Sequence, residues 1–370
     1  AMPANAFLLF AAPAALAAPI TKTFYSPPIH TRPGQVFRDN VDLYFPPGNI
    51  GITSFGADLV FHGGPNDGAP VPLSHTYLHH WTVGQKFHHN AGFCGYSQPA
   101  DMTLGYLFGV GSESRHTSPV LPAPYALMID DTDKDTWFVD LHAIDLRNTT
   151  NPLGCRECLC TELHPDGHPR NLTRIVGNKD DYIGGLACCE GGDRCRYEVD
   201  GPEMGYKLRY NITWVEGEDL KTATPVYIFV MDVTGDFAVK SESRCQIEYD
   251  VPRVDAEHYY RNSTFQFPSD ATVVLTVPHL HSGGIWATVT RKATGERVCY
   301  GEAKYGNGTE AGNEEGFVVG IEQCTTPFHA KKHEEFELLV QYSPEGGLTL
   351  NRTSHVGVMG YVWMAVARAS

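Results

Sequence analysis

Residues 271–291 read ATVVLTVPHLHSGGIWATVTR. Two runs rich in β-branched and aromatic residues, 271–277 and 285–291, are bounded by Pro278 and a Ser-Gly-Gly turn signal, which predicts two strands. His279 and His281 follow the first run. Side chains at i and i+2 of a strand share a face, so these two imidazoles can aim at one ion. Outward from this point the same texture recurs at 207–215 (KLRYNITWV), 225–233 (PVYIFVMDV), 335–342 (EFELLVQY) and 356–367 (VGVMGYVWMAVA). Helical periodicity is almost absent and no repeat is visible, so the expected fold is all-β, built as two β-sandwiches. The boundary is placed near 217–224 (GEDLKTAT), giving an N-terminal domain over 19–222 and a C-terminal domain over 223–370. Residues 151–196 differ. They hold six of the ten cysteines and are expected to form a disulfide-stapled insertion in the first sandwich.

Composition narrows the function. The chain has 370 residues and a net charge of −15, which disfavours nucleic acid, since phosphate contacts need clustered Lys and Arg. No polybasic patch suggests a membrane surface. Thirty-seven glycines and 25 prolines suit a turn-rich β protein. The cysteines are Cys94, Cys155, Cys158, Cys160, Cys188, Cys189, Cys195, Cys245, Cys299 and Cys324. They make an even set, expected as five disulfides rather than a zinc knuckle at Cys155-x-x-Cys158. Adjacent Cys188 and Cys189 are not expected to bond each other, because a vicinal bridge strains the chain. Seven cysteines precede the boundary and three follow it, so at least one bond should cross it. Cys299–Cys324 is expected within the second half, with Cys245 reaching back to the first. Residues 6–18 (AFLLFAAPAALAA) resemble a signal h-region with a small-residue exit, too short for a membrane span, so residues 1–18 are expected to be a signal peptide. N-x-S/T sequons stand at Asn148, Asn171, Asn211, Asn262, Asn307 and Asn351. These features together point to a secreted or cell-surface glycoprotein with extracellular partners.

The chemistry rests on a few of the 17 histidines. His79-His80 lies in TYLHHW, His142 in the alternating VDLHAID, His279-x-His281 after a strand, and Met359 in the final strand. Adjacent strand residues point to opposite faces, so His79 and His80 share a metal only if the backbone turns there. A second pair, His88-His89, cannot be separated from the first on physical grounds. His164 and His168 read as loop histidines beside disulfides. Taken singly, an H-x-H on a strand or a Met in a strand is ordinary packing. GVGSES (109–114) is followed by no helix, which argues against a phosphate loop.

In the order HH, H, HxH, M, the set resembles the two-copper ascorbate-dependent monooxygenases, of the peptidylglycine α-hydroxylating and dopamine β-monooxygenase type. A closer resemblance is to the plant-type stress up-regulated Nod domain family, carried by HTYLHHW, GVGSESRHTS, HAIDLR, GGLACCEGGDRC, KYGNGTEAGNEEGFVVGIEQC and GVMGYVWMAV. It spans about residues 70–370. The resemblance implies a double jelly-roll with two copper ions facing across a cleft. His79, His80 and His142 would hold an electron-transfer copper. His279, His281 and Met359 would hold a catalytic copper that hydroxylates a C–H bond, with ascorbate or a similar reductant as co-substrate.

The departures bear on substrate. The peptide hydroxylase has an Arg two residues before its H-x-H, where this chain has Val277. It has an Asn and a Tyr two and four residues after its Met, where this chain has Tyr361 and Trp363. Val cannot replace a bidentate guanidinium clamp, so a glycine-extended peptide is not the expected substrate. Tyr361 and Trp363 fit an apolar, aromatic or glycan-like small molecule, or plain strand core. The alternatives to a monooxygenase are a non-catalytic extracellular structural or adhesion protein keeping the double sandwich, and a copper store without turnover.

Overall fold

A computed structural model describes residues 18–85, 106–148, 201–235, 248–252, 259–343 and 354–368. Their regular elements are nearly all strands. The largest sheet runs in the order β1 (Ile20–Tyr25), β9 (Met204–Val215), β4 (Ile50–His62), β7 (Tyr125–Ile129), β10 (Thr224–Asp232), β19 (Ser354–Arg368), β13 (Ala271–Leu280) and β17 (Phe328–Ala330). β2 (Ile29–Thr31) pairs with β9, and β11 (Glu248–Pro252) with β19. A four-stranded sheet of β3 (Val36–Asp42), β8 (Trp137–Asp145), β5 (Thr76–Gln85) and β6 (Tyr106–Gly111) shares a core with the first part of the large sheet. A five-stranded sheet of β12 (Tyr259–Gln266), β18 (Glu335–Tyr342), β14 (Gly284–Arg291), β15 (Glu296–Tyr305) and β16 (Val318–Ile321) shares a second core with the rest. The expected sandwich architecture is therefore present, and each stretch predicted as a strand lies on one.

The segment expected to separate the halves carries the short helix α1 (Gly217–Thr222), between β9 and β10. The large sheet runs on past it. β10 pairs in parallel with β7, Thr224 opposite Tyr125 and Val226 opposite Leu127. Beyond that seam, β10 and β19 are buried on both faces. On β10, Val226, Ile228 and Val230 belong to the first core, while Phe229 and Met231 belong to the second. On β19, Met359, Tyr361, Trp363, Ala365 and Ala367 face the first core, and Val358, Val362, Met364 and Val366 face the second. Period-2 alternation of facing, with apolar atoms required on both sides, explains why VGVMGYVWMAVA shows no polar positions.

A second device joins the halves. The short helical turn Ser112–His116, after β6, is gripped by the segment 312–321. Ser112 Oγ donates to Val318 O (2.6 Å), and Thr117 Oγ1 accepts from Ile321 N (2.8 Å). The His116 ring Nε2 is 2.8 Å from Gly312 O. Arg115 donates to Asp58 Oδ1 on β4 (2.8 Å) and to the buried Glu314 Oε1 (2.9 Å). Glu314 also accepts from Leu73 N (2.8 Å) and Gly312 N (2.9 Å).

Of the five disulfides expected, Cys299–Cys324 in the second half is formed, with Cα atoms 5.4 Å apart. The other eight cysteines, Cys94, Cys155, Cys158, Cys160, Cys188, Cys189, Cys195 and Cys245, lie outside the described residues. The expected bond from Cys245 back to the first half and the disulfide-stapled insertion 151–196 therefore fall there too. So do residues 1–17 of the expected signal peptide and the sequons at Asn171 and Asn351. The four described sequon asparagines, Asn148, Asn211, Asn262 and Asn307, are all exposed. No helix among the described residues is long and apolar enough to cross a membrane.

Candidate metal centre

β5 and β8 run antiparallel with His80 directly opposite His142. The register slips between Leu78 and His80, which makes His79 the extra residue of a β-bulge. A bulge re-aims one side chain of a strand. Here it supplies the turn of backbone that adjacent histidines need to face one another. The His79 and His80 Nδ1 atoms lie 3.0 Å apart, within hydrogen-bond distance. The His142 ring centroid is 4.5 Å from that of His79 and 4.7 Å from that of His80.

The other two histidines come from the end of β13. His279 lies opposite Tyr361 of β19, with ring centroids 4.6 Å apart. His281 opens the tight turn into β14, where Gly283 takes φ of +93°, a conformation that favours glycine. The His281 amide donates to Tyr342 Oη (2.8 Å), and that hydroxyl donates to Met359 O. Tyr342 thus pins the two segments that carry His281 and Met359. The Met359 side chain shares the first-core face of β19 with Tyr361, His279's neighbour.

The structure brings all five expected histidines into one cluster, every one at most 3% exposed. It does not hold them as two separate groups. His79 is as near His281 as His142, 4.5 Å between centroids in each case. Ligating nitrogens of His79, His80 and His281 all lie within 4.8 Å of one another. Tyr361 and Trp363 are buried in the first core. Val277, at the position of the peptide hydroxylase's Arg, is fully buried. The pair His88-His89, and His164 and His168, fall outside the described residues.

Burial, and then the neighbouring imidazoles, hold His79, His80 and His142 well below the usual histidine range. They are therefore neutral at pH 7 and can offer lone pairs. Nε2 of His79, His80 and His279 has no hydrogen-bond partner although each is buried. A buried polar nitrogen left unpaired costs about 1–3 kcal/mol. Several together could hold a metal ion, and imidazole suits copper and zinc. The residues present fit copper.

A profile of the family described as Stress up-regulated Nod 19 matches residues 19–369. The chain belongs to that family. No curated protein matches it. Among solved structures it is similar to recombinant peptide: N-glycanase F (10% identity, covering 94% of this chain and 99% of that one, TM-score 0.36). It is also similar to the infectious bursal disease virus VP2 subviral particle (9% identity, 95% and 73% coverage, TM-score 0.20). A third is the insecticidal delta-endotoxin Cry8Ea1 of Bacillus thuringiensis (8% identity, 94% and 60% coverage, TM-score 0.22). Likenesses this distant carry no functional argument.

The family block GVGSESRHTS has a structural meaning that sequence alone did not reveal. Glu113, buried within it, accepts from His279 Nδ1 through Oε1 and from Gly111 N through Oε2 (3.0 Å). A carboxylate on Nδ1 fixes the tautomer and leaves Nε2 as the lone-pair donor. Gly111 makes this possible. A Cβ there would sit 2.3 Å from His79 O and 2.8 Å from His279 Cε1. At Gly109 a Cβ would meet Trp363 Cζ2 at 2.6 Å. β6 can lie this close to β13 and β19 only with glycine at both places. The signal was present, an acidic residue next to two spaced glycines, but it has no periodicity to mark it.

Proposed function

We propose that this member of the Stress up-regulated Nod 19 family is a secreted copper protein, and that it hydroxylates a C–H bond using dioxygen and ascorbate or a similar reductant. The observation that carries the reading is the convergence of five buried imidazoles from β5, β8 and the β13 end, three with an unpaired buried Nε2. The order of these histidines and of Met359 along the chain supports the link to the two-copper monooxygenases. Copper, when bound, supplies one-electron redox chemistry and dioxygen activation. The protein residues supply the rest. Neutral imidazoles and the Met359 thioether are ligands that tolerate both copper oxidation states. Glu113 orients His279. Tyr361 packs against the His279 ring, and Val277 and Trp363 are buried in the same core. Val277 in place of a cationic side chain supports a substrate without a glycine carboxylate, such as a small apolar or glycan-like molecule. Secretion is supported by the signal-like residues 6–18, the exposed sequon asparagines and the Cys299–Cys324 bond.

The test is direct. The purified full chain is loaded with copper, and oxygen uptake is followed with ascorbate. Retention of copper, with uptake abolished by His279→Ala, is the expected result. A chain that retains no copper refutes the reading. Copper without oxygen uptake refutes the hydroxylase and leaves a copper-binding protein.

A further inference from the structure

Resting on that copper reading, we propose that the first metal ion is held jointly by the two sandwiches, with His79 and His80 from the first and His281 from the second as its protein ligands. Chain order alone assigns His281 to a different ion from His79 and His80. The geometry does not respect that division. Nitrogens of these three side chains fall within 4.8 Å of one another, a set that does not include His142. The His79 ring centroid is 4.5 Å from that of His281 and 5.1 Å from that of His80.

Two of the three are held by a backbone device. The bulge in β5 turns His79 toward His80. The His281 amide is tied to Tyr342 Oη, which is tied in turn to Met359 O. The surfaces that carry them are pressed together, β6 approaching His279 and Trp363 at glycine distance. The three side chains are thus set in place by packing before any ion arrives, the condition for a site with little reorganisation on binding. A consequence follows for the whole chain. An ion with ligands from both halves binds only the assembled molecule, so it stabilises the junction as well as each half.

The discriminating experiment compares His281→Gln with His142→Gln, each keeping side-chain size and hydrogen-bonding capacity. The full-length, disulfide-intact chain is titrated with one equivalent of copper(I) against a competing chelator, with zinc(II) as a redox-silent second probe. Near-ultraviolet circular dichroism checks that each variant keeps its tertiary packing. A jointly held ion requires His281→Gln and His80→Gln each to weaken the first equivalent by at least about tenfold, while His142→Gln stays within about threefold. The inverse pattern, with His142→Gln costing tenfold and His281→Gln nothing, overturns the proposal and places the ion within the first sandwich. A wild-type chain that binds neither ion overturns the copper reading itself, a different and separately visible failure. Should a glutamine variant lose its packing, the zinc-induced rise in melting temperature of His281→Asn replaces it. A rise equal to that of wild type refutes joint ligation, and an abolished rise supports it.

Discussion

Glu113 shows how much a single side chain can decide. It reaches His279 Nδ1 from a turn that no strand pattern marks, and its second oxygen is occupied by the Gly111 amide. Removing it frees the His279 ring to rotate, and outer-shell partners of this kind typically contribute 10- to 100-fold to metal affinity. Glu113→Ala is expected to weaken copper binding by that order while Glu113→Gln recovers most of it, as measured by chelator competition. Asp232 is a different case. It lies opposite Tyr361 at the end of β10, its Oδ1 accepts from Thr234 N (2.7 Å), and its Oδ2 has no partner. Burial pushes its carboxyl up to about 7, against the opposing pull of the Thr234 hydrogen bonds. Between the ordinary carboxylate value and about 7 the folded chain holds a proton that the unfolded chain releases. Stability from this group is therefore full at low pH, falls as pH rises through that window, and levels off above it. Asp232→Asn is expected to be more stable than wild type at pH 8 by about 1–4 kcal/mol, the ceiling set by the shift and the reduction by one unpaired amide donor. In denaturant melts this gain should shrink toward zero near pH 4; a gain independent of pH would show that Asp232 is ionised in the fold.

At the scale of elements, the strands and the histidines that cluster were legible, but face and register were not. His79 and His80 could be named as a pair, yet whether they met depended on a one-residue slip against β8 that leaves no mark in the local sequence. The run 356–367 was legible as strand from its β-branched and aromatic content. Its uniform apolarity concealed that odd and even positions serve different cores. That division matters for Trp363. It sits in the first core beside Tyr361, with ring centroids 5.8 Å apart, and against Gly109. Trp363→Ala is expected to cost about 3–5 kcal/mol in chemical unfolding, the usual range for emptying a large aromatic site. A cost below about 1 kcal/mol would mean that β19 does not pack on β6 as described.

At the scale of the molecule, sequence texture placed a boundary where α1 lies, but could not show that hydrogen bonding continues beyond it through β7 and β10. Long-range parallel pairing has no local signature. Nor has the grip of segment 312–321 on the turn 112–116, which ties two family blocks about 200 residues apart. Its charged part is the Arg115 guanidinium between Asp58 and the buried Glu314. Truncating one member of a buried pair leaves the other charge uncompensated and costs about 3–5 kcal/mol. Arg115→Ala is expected to destabilise the chain by that amount and to loosen the junction, seen as faster amide hydrogen exchange in both 112–117 and 312–321. Protection lost in only one segment would mean that the two do not support each other.

The claim on which the rest depends is that copper enters the histidine cluster. Anomalous scattering recorded on both sides of the copper absorption edge, from crystals of the copper-loaded full chain, locates the ion without reference to activity. The expected result is a peak about 2 Å from nitrogens of His79, His80 and His281. A peak elsewhere, or none at the cluster in crystals whose protein carries stoichiometric copper, would contradict it.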